Sequence, residues 1–304
     1  MPAKLVAEIS TRLNSLRHST PCEFARKPRS LSDIDRWKAT EFRQLLLFTG
    51  PVVLQNCLPD ELYHNFLLLH VAMTCLLSSR LCSIYVDFAE KLLKEFVAHC
   101  CKLYGPEFCV YNVHNLIHLA DDARNFGPLD NVSCFPFENL LGKLKRLVRS
   151  PNLPLQQVIN RLREQQSCNA QRPYMLNLTL PCLKGNIETD FSVGNYERAV
   201  FYSFLKNEEF TLKVKDSDNC VWLCNGQIGR IQYIFLHIDR IHVVVKLFQI
   251  IEPFYIYPVE SNIVNAVRLR ELSNTCCTYL VSDIKKKCFC MPLLDGSYFA
   301  VALS

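Results

Sequence analysis

DELYHNFLLLHVAMTCLL (Asp60–Leu77) decides how the first half of this sequence folds. Its apolar residues Leu62, Phe66, Leu69, Met73 and Leu76 recur three or four apart, the period of an α-helix that buries one face. Pro59 stands where a first helical turn accepts proline. A second run on this period extends from about Ser83 to Tyr104, with Phe88, Leu92, Phe96 and Cys100 on one side, and Gly105-Pro106 closes it. Two long helices with a short connection predict an antiparallel pair.

Working outward, EFRQLLLF (Glu41–Phe48) predicts a shorter helix stopped by Gly50-Pro51. Residues 1–37 are polar and are expected to form a loop or arm. ARKPRSLSDIDRWK carries five basic residues and two aspartates; RKPR has the composition of a nuclear-import or DNA-contacting arm and equally that of a solvated linker, the commoner case. On the other side, Tyr111–Arg149 reads as a helix over about Val113–Asn125, a Gly127-Pro128 turn, and a helix over about Pro136–Val148. A break at 150–154 and a last helix over Leu155–Gln166 follow.

Residues 170–200 lose the helical period and gather Pro, Gly and Asn. From about Glu209 the pattern becomes short β-branched and aromatic runs such as NCVWLC, QIGRIQYIFL and IHVVVKLFQII, separated by turn pairs Asp218-Asn219, Asn225-Gly226 and Asp295-Gly296. The expectation is α+β: a polar arm (1–37), a helical domain (38–168), a linker (169–204) and a small antiparallel β-barrel or sandwich (205–304).

With 304 residues the chain can bury more than one core, and a net charge of +5 permits a nucleic-acid partner without demanding one. No apolar run is long enough and free enough of charge to predict a membrane span. Sixteen cysteines without a secretory leader, several in apolar runs (Cys75, Cys82, Cys100, Cys109, Cys168), read as free buried thiols in a reducing compartment, nucleus or cytoplasm, and not as a secreted framework.

Tyr111–Arg149 holds the densest set of ionisable groups. His114 and His118 at i, i+4 share a helix face, and Asp122 could add a carboxylate, which is a zinc-capable spacing. Asn115 stands where the metalloprotease pattern needs glutamate, and paired histidines on an apolar helix are more often hydrogen-bonded core residues. Cys220-x3-Cys224 and Cys288-x-Cys290 match no zinc finger. Glu138 opens a helix whose stripe Leu140, Leu141, Leu144, Leu147 and Val148 is expected to be buried. Lys143, Lys145, Arg146 and Arg149 fall outside the stripe, as phosphate contacts or as a solvated basic face.

HNLIHLADDARNFGPL, then FPFENLLGKLKRLVRSPNLPLQQVINRL, resembles the region near the C-terminal end of CACTA (En/Spm) transposases. There a histidine-bearing helix leads through Gly-Pro to an aromatic-Pro-Phe-Glu-Arg motif and a GxLKxxVRN helix. EFRQLLLFTGPVVLQNCLPDELYHNFLLLHVAMTCLLSS is similar to the helical segment that precedes it. The β-rich tail is similar to the small domain that often follows, and CVWLCNGQIGRI is similar to the opening of bromo-adjacent-homology-like barrels. The resemblance implies an RNase H-like transposase in which three acidic residues hold two metal ions. It assigns Glu138 as the third acid, beside Asn139 where the family has Arg.

The first two acids belong on an upstream sheet. Asp33, Asp35, Asp60 and Asp87, the only aspartates in residues 1–110, sit in loop or helix patterns. The implied protein is therefore a catalytically incomplete, transposon-derived DNA- or protein-binding chain that needs no cofactor. The alternatives are an active subunit completed by another transposase chain, with Mg²⁺, or an adaptor. In the adaptor, Trp222, Tyr233, Phe235, Phe254, Tyr255 and Tyr257 would line a peptide groove, although alternating strand aromatics are more often core.

Overall fold

A computed structural model describes residues 2–170, 181–187, 196, 199–215 and 217–303, the side chains of 168–170 excepted. Helices come first: α1 (Ala3–Ser15), α2 (Ala39–Gln44), α3 (Gly50–Leu54), α4 (Asp60–Leu77), α5 (Ser79–Tyr104), α6 (Tyr111–His114), α7 (Leu119–Phe126), α8 (Phe135–Leu147) and α9 (Pro154–Ala170). Strands follow: β1 (Cys182–Asn186), β2 (Val200–Lys206), β3 (Thr211–Lys213), β4 (Cys220–Leu223), β5 (Ile228–His237), β6 (Arg240–Pro253), β7 (Ala266–Leu280), β8 (Ile284–Pro292) and β9 (Tyr298–Ala302). The α+β expectation holds. No helix among the described residues is long and apolar enough to cross a membrane.

The strands are all antiparallel. β4 pairs β5, β5 pairs β6, β6 pairs β7, β7 pairs β9, β9 pairs β8, and β8 returns to β4. This ring closes a barrel and so removes its free edges. β2 attaches beside β4 on β5 and carries β1 and β3. Ala266–Leu280 runs as one strand, β7, through an irregularity at Glu271 (φ 57°). β1 and most of β2 lie in the range read as a linker; the short mixed run CLKGN hides its strand by lacking β-branched residues. The rest of that range, and Cys168, lie outside the described residues or side chains.

The reading of residues 1–37 as an unburied arm is corrected. α1 buries Ile9, Leu13 and Leu16 in the main core, so its sparse apolar residues fall on one side. Arg29 of the RKPR run is not a free cation: it grips the buried Glu41 carboxylate at 2.6 and 2.8 Å. That ion pair, with the Lys38 amide, holds the Glu41 carboxyl below its ordinary pKa even though burial opposes it.

α4 is covered on more than one side. Its deepest apolar residues include Leu67, Leu68, Val71, Ala72 and Leu76, whereas Leu62, Phe66, Leu69 and Met73 of the stripe expected from the sequence are half-buried, so the deepest face is shifted from the expected one. α5 packs along one side and the barrel meets another, where His64 lies 4.7 Å from the Tyr257 ring and His70 5.8 Å from Tyr255. Phe254, Phe289, Met291, Phe299 and Val301 of the barrel belong to one continuous core with Leu67, Val71 and Leu93. The helical and β parts therefore share their main core, and the barrel adds smaller cores of its own.

Gly50-Pro51 does not stop the second helix. The chain passes from α2 through a π-turn (Leu45–Thr49) into α3. Gly50 N–H donates to Leu45 O, and Pro51 has no N–H to offer Leu46 O. His70 supplies the missing donor: its Nδ1 lies 2.8 Å from that carbonyl, so Nδ1 carries the proton. Gly50 is needed there because a Cβ would stand 2.4 Å from Phe66 Cζ and 2.5 Å from Leu45 O. Burial pushes the His70 pKa down to about 4, which keeps the ring neutral.

The arm is tied to the barrel by Lys287, whose side chain is 1% exposed. Its Nζ donates to Asp218 Oδ1 (2.5 Å), Glu23 Oε2 (2.7 Å) and Thr211 O (2.6 Å). Burial pushes the Asp218 carboxyl up, but Lys287 and the Cys22 amide outweigh it and hold it far below the usual range.

Two predictions follow from these buried groups. Lys287→Met leaves the buried Asp218 carboxylate with Lys213, 3.1 Å away, as its ion-pair partner, and should lower the unfolding free energy by about 1.5–3 kcal/mol in urea titrations; a loss under about 1 kcal/mol contradicts the assignment. For His70, the unfolded ring binds a proton below about pH 6.5 while the folded ring resists it until about pH 4. Stability should therefore fall as pH drops from 6.5 towards 5, by up to about 1.4 kcal/mol per pH unit. His70→Gln, which keeps a donor for Leu46 O but cannot titrate, should flatten most of that slope. His242, depressed in the same direction chiefly by burial, leaves a residue of it. An unchanged slope contradicts the account.

Candidate nucleic-acid interface

α8 begins as its sequence predicts: Pro136 sits in the first turn, Ser133 Oγ accepts from the Phe135 amide at 3.3 Å, and Glu138 falls in the first turn. The turn before it is anchored to α2. Arg43 pairs with both Asp130 oxygens at 2.8 Å and lies 5.9 Å from the Phe135 ring. Beyond that anchor the helix stands clear of the body. Phe137, Leu140 and Leu141 are 66%, 51% and 65% exposed. The buried stripe expected from the sequence is thus not buried; Leu144, Leu147 and Val148 are only half-covered. The periodicity identified a helix correctly, and its apolar face is open to solvent over Phe137, Leu140 and Leu141.

α9 folds back on α8 through a turn held by one residue that sequence reasoning passed over. Gln157 Oε1 accepts from the Arg149 amide at 3.0 Å and the Ser150 amide at 3.4 Å, and Nε2 donates to Ser150 O and Oγ. Leu155, Ile159 and Leu162 remain exposed along α9. Residues 135–170 hold six basic and two acidic side chains, which is most of the chain's net charge of +5. Lys143, Lys145, Arg146 and Arg149 are all exposed, and none has a carboxylate partner among the described residues. Arg146 Nε donates to Gly142 O at 3.3 Å, and Arg161 pairs with Glu164 at 3.1 Å. Lys145 and Arg146 also complement the negative end of the helix dipole. An unneutralised row of cations on a projecting hairpin is an arrangement that meets phosphates.

Glu138 is exposed at the start of this hairpin. Among the described residues no group of metal-capable side chains gathers on it; the one close trio is Cys22, Glu23 and Asp218, where Lys287 already lies. Asp87 is spoken for by Arg124, which also binds Glu90 and Asp121. These contacts, led by the hydrogen bond from Lys94, hold the Glu90 carboxyl down at about 2. Asp33 and Asp35 lie in a 3₁₀ turn (Leu31–Arg36), and Asp60 opens α4.

His114 and His118 are exposed and so are not the hydrogen-bonded core residues that an apolar helix would suggest. The helix expected over Val113–Asn125 is interrupted by a 3₁₀ turn (Asn115–His118), and both rings are exposed, 5.8 Å apart and T-shaped. Asp122 is exposed on α7 and does not join them in a close cluster.

Of the barrel aromatics, Phe235, Phe254 and Tyr255 are 0%, 6% and 6% exposed and serve the core, so the groove built on them is not formed. Trp222, Tyr233 and Tyr257 are half-buried. Cys220, Cys288 and Cys290 are buried thiols of the barrel; hydrogen bonding among them and burial push Cys220 and Cys290 well up. Cys109 is corrected: it is bonded to Cys101 at the end of α5.

Two regions match family models. Residues 76–175 match a domain of unknown function (DUF4218), and residues 186–303 match another (DUF8592). No curated protein matches the chain.

Proposed function

We propose that this chain is a transposase-like DNA-binding module of CACTA type, nuclear in location, that grips the phosphate backbone with the α8–α9 hairpin. The observation that carries this reading is the exposed row Lys143, Lys145, Arg146 and Arg149, unneutralised by any carboxylate among the described residues. Such contacts position a protein on DNA without reading sequence, and their strength falls as salt rises because counterions are released. Gln157 sets the turn that presents Arg149. The hairpin joins the body at the Arg43–Asp130 pair and the Phe135 contact.

On this reading the chain by itself does not cleave DNA. Glu138, the acid that the resemblance singles out, lacks a gathered set of acids among the described residues. A second reading, a subunit whose acids come from another chain and which then takes Mg²⁺, is favoured by one observation. Glu138 is flanked by the exposed Phe137, Leu140 and Leu141, an apolar rim that a partner would cover.

A salt titration of duplex-DNA binding tests the proposal. Binding should weaken steeply with salt, and replacing Lys143, Arg146 and Arg149 together by Gln should reduce the logarithmic salt slope by about one per lost phosphate contact, equally for unrelated sequences. Affinity that is negligible or independent of salt would sink it. With Mg²⁺ or Mn²⁺ the purified chain should leave supercoiled DNA intact; nicking that disappears in Glu138→Gln overturns the non-catalytic part and selects the second reading.

A further inference from the structure

A cleft of about 620 Å³ lies between the residues that follow α1, the α2 turn and the rim of the barrel. Its volume is that of a small-molecule site. Phe24, Phe48 and Phe210 form its apolar wall, with Phe24 and Phe48 edge to face at 5.0 Å. Lys285 and Lys286 form a cationic rim, and neither has a carboxylate partner among the described residues. The other charges nearby are engaged. Arg43 is held by Asp130, Glu23 by Lys287, and Arg26 lies 4.0 Å from Glu41. Glu209 stays exposed at the edge.

The burial of two lining side chains decides which of them a ligand can reach. Burial first, and then the charges of Lys285 and Arg80, depress Lys286 below the ordinary lysine pKa, as expected of a partly buried ammonium with no carboxylate partner among the described residues. Gln44 lines the same cleft but is 3% exposed, and its Nε2 is sealed from solvent, so it contributes packing to the wall and presents no donor to the opening.

We propose that this cleft binds a small ligand consisting of an aromatic ring that carries an anionic group, about the size of a nucleoside monophosphate. The ring lies on Phe24 and Phe210, and the anion meets Lys285 and Lys286. The site is separate from the α8–α9 hairpin and does not depend on the DNA-binding reading.

Calorimetric titration of the full chain with adenosine monophosphate, and in parallel with 2-naphthoate, tests this. Saturable one-to-one binding of either probe is expected; the tighter of them tells whether the anion is a phosphate or a carboxylate. Replacing Lys285 and Lys286 by Met should weaken binding about tenfold or more, the scale of a lost charge contact. The Lys143, Arg146, Arg149 triple variant should bind the probe as the parent does. Absence of saturable binding by both probes, insensitivity to the Lys285 and Lys286 changes, or inorganic phosphate binding as tightly as the ring-bearing probes would each overturn the proposal.

Discussion

The Nζ of Lys287 lies 2.5 Å from Asp218, 2.7 Å from Glu23 and 2.6 Å from the Thr211 carbonyl, in a side chain almost sealed from water. Much of the architecture follows from satisfying that one ammonium. Glu23 reaches it only if the chain after α1 folds across the barrel, and in that position Cys22 N–H also donates to Asp218, and Thr211 N–H to Glu23. Phe24 is thereby seated 5.3 Å from Phe289 in the shared core. Ionic groups at such depth are stable only when each is paired and hydrogen-bonded. The network therefore fixes where the arm lies, and the cleft beside it is a consequence of that placement.

His70 does for the helices what Lys287 does for the arm. It closes the hydrogen-bonding gap that Pro51 leaves in the π-turn while its ring touches Tyr255 of the barrel. The two family matches divide the chain between helices and strands, but the core does not divide there. A barrel that lends Phe254, Phe289 and Phe299 to the helices is half of a common interior.

The sequence made the long elements legible because their signals are local. The helices α4 and α5, the Pro-led start of α8 and the β-branched runs of β5 and β6 are all present in the structure. What it could not show depends on partners far along the chain. Residues 1–37 looked polar because the apolar residues that α1 and its end bury, chiefly Ile9, Leu13 and Leu16, are few and widely spaced. Gly50-Pro51 looked like a stop because the donor that rescues the turn is His70, twenty residues on. Within the candidate site, the basic residues were legible as a row, but the exposure of Leu140 and Leu141 was not, since apolar periodicity reports a helix face and not its covering. Gln157 carried no signal beyond its polarity inside a helix.

The functional reading rests on the helices and the barrel behaving as one body, from which the hairpin projects. The chain has two tryptophans, Trp37 beside the helices and Trp222 on β4, so each half carries its own optical probe. Trp37→Phe leaves a fluorescence signal from the barrel alone, and Trp222→Phe one from the helical side alone. Denaturant unfolding of each variant, followed by fluorescence and by far-ultraviolet circular dichroism, should give a single coincident midpoint within each variant. Fluorescence and circular-dichroism transitions that separate, with the barrel and the helices losing structure at different denaturant concentrations, would contradict the claim of a shared cooperative core.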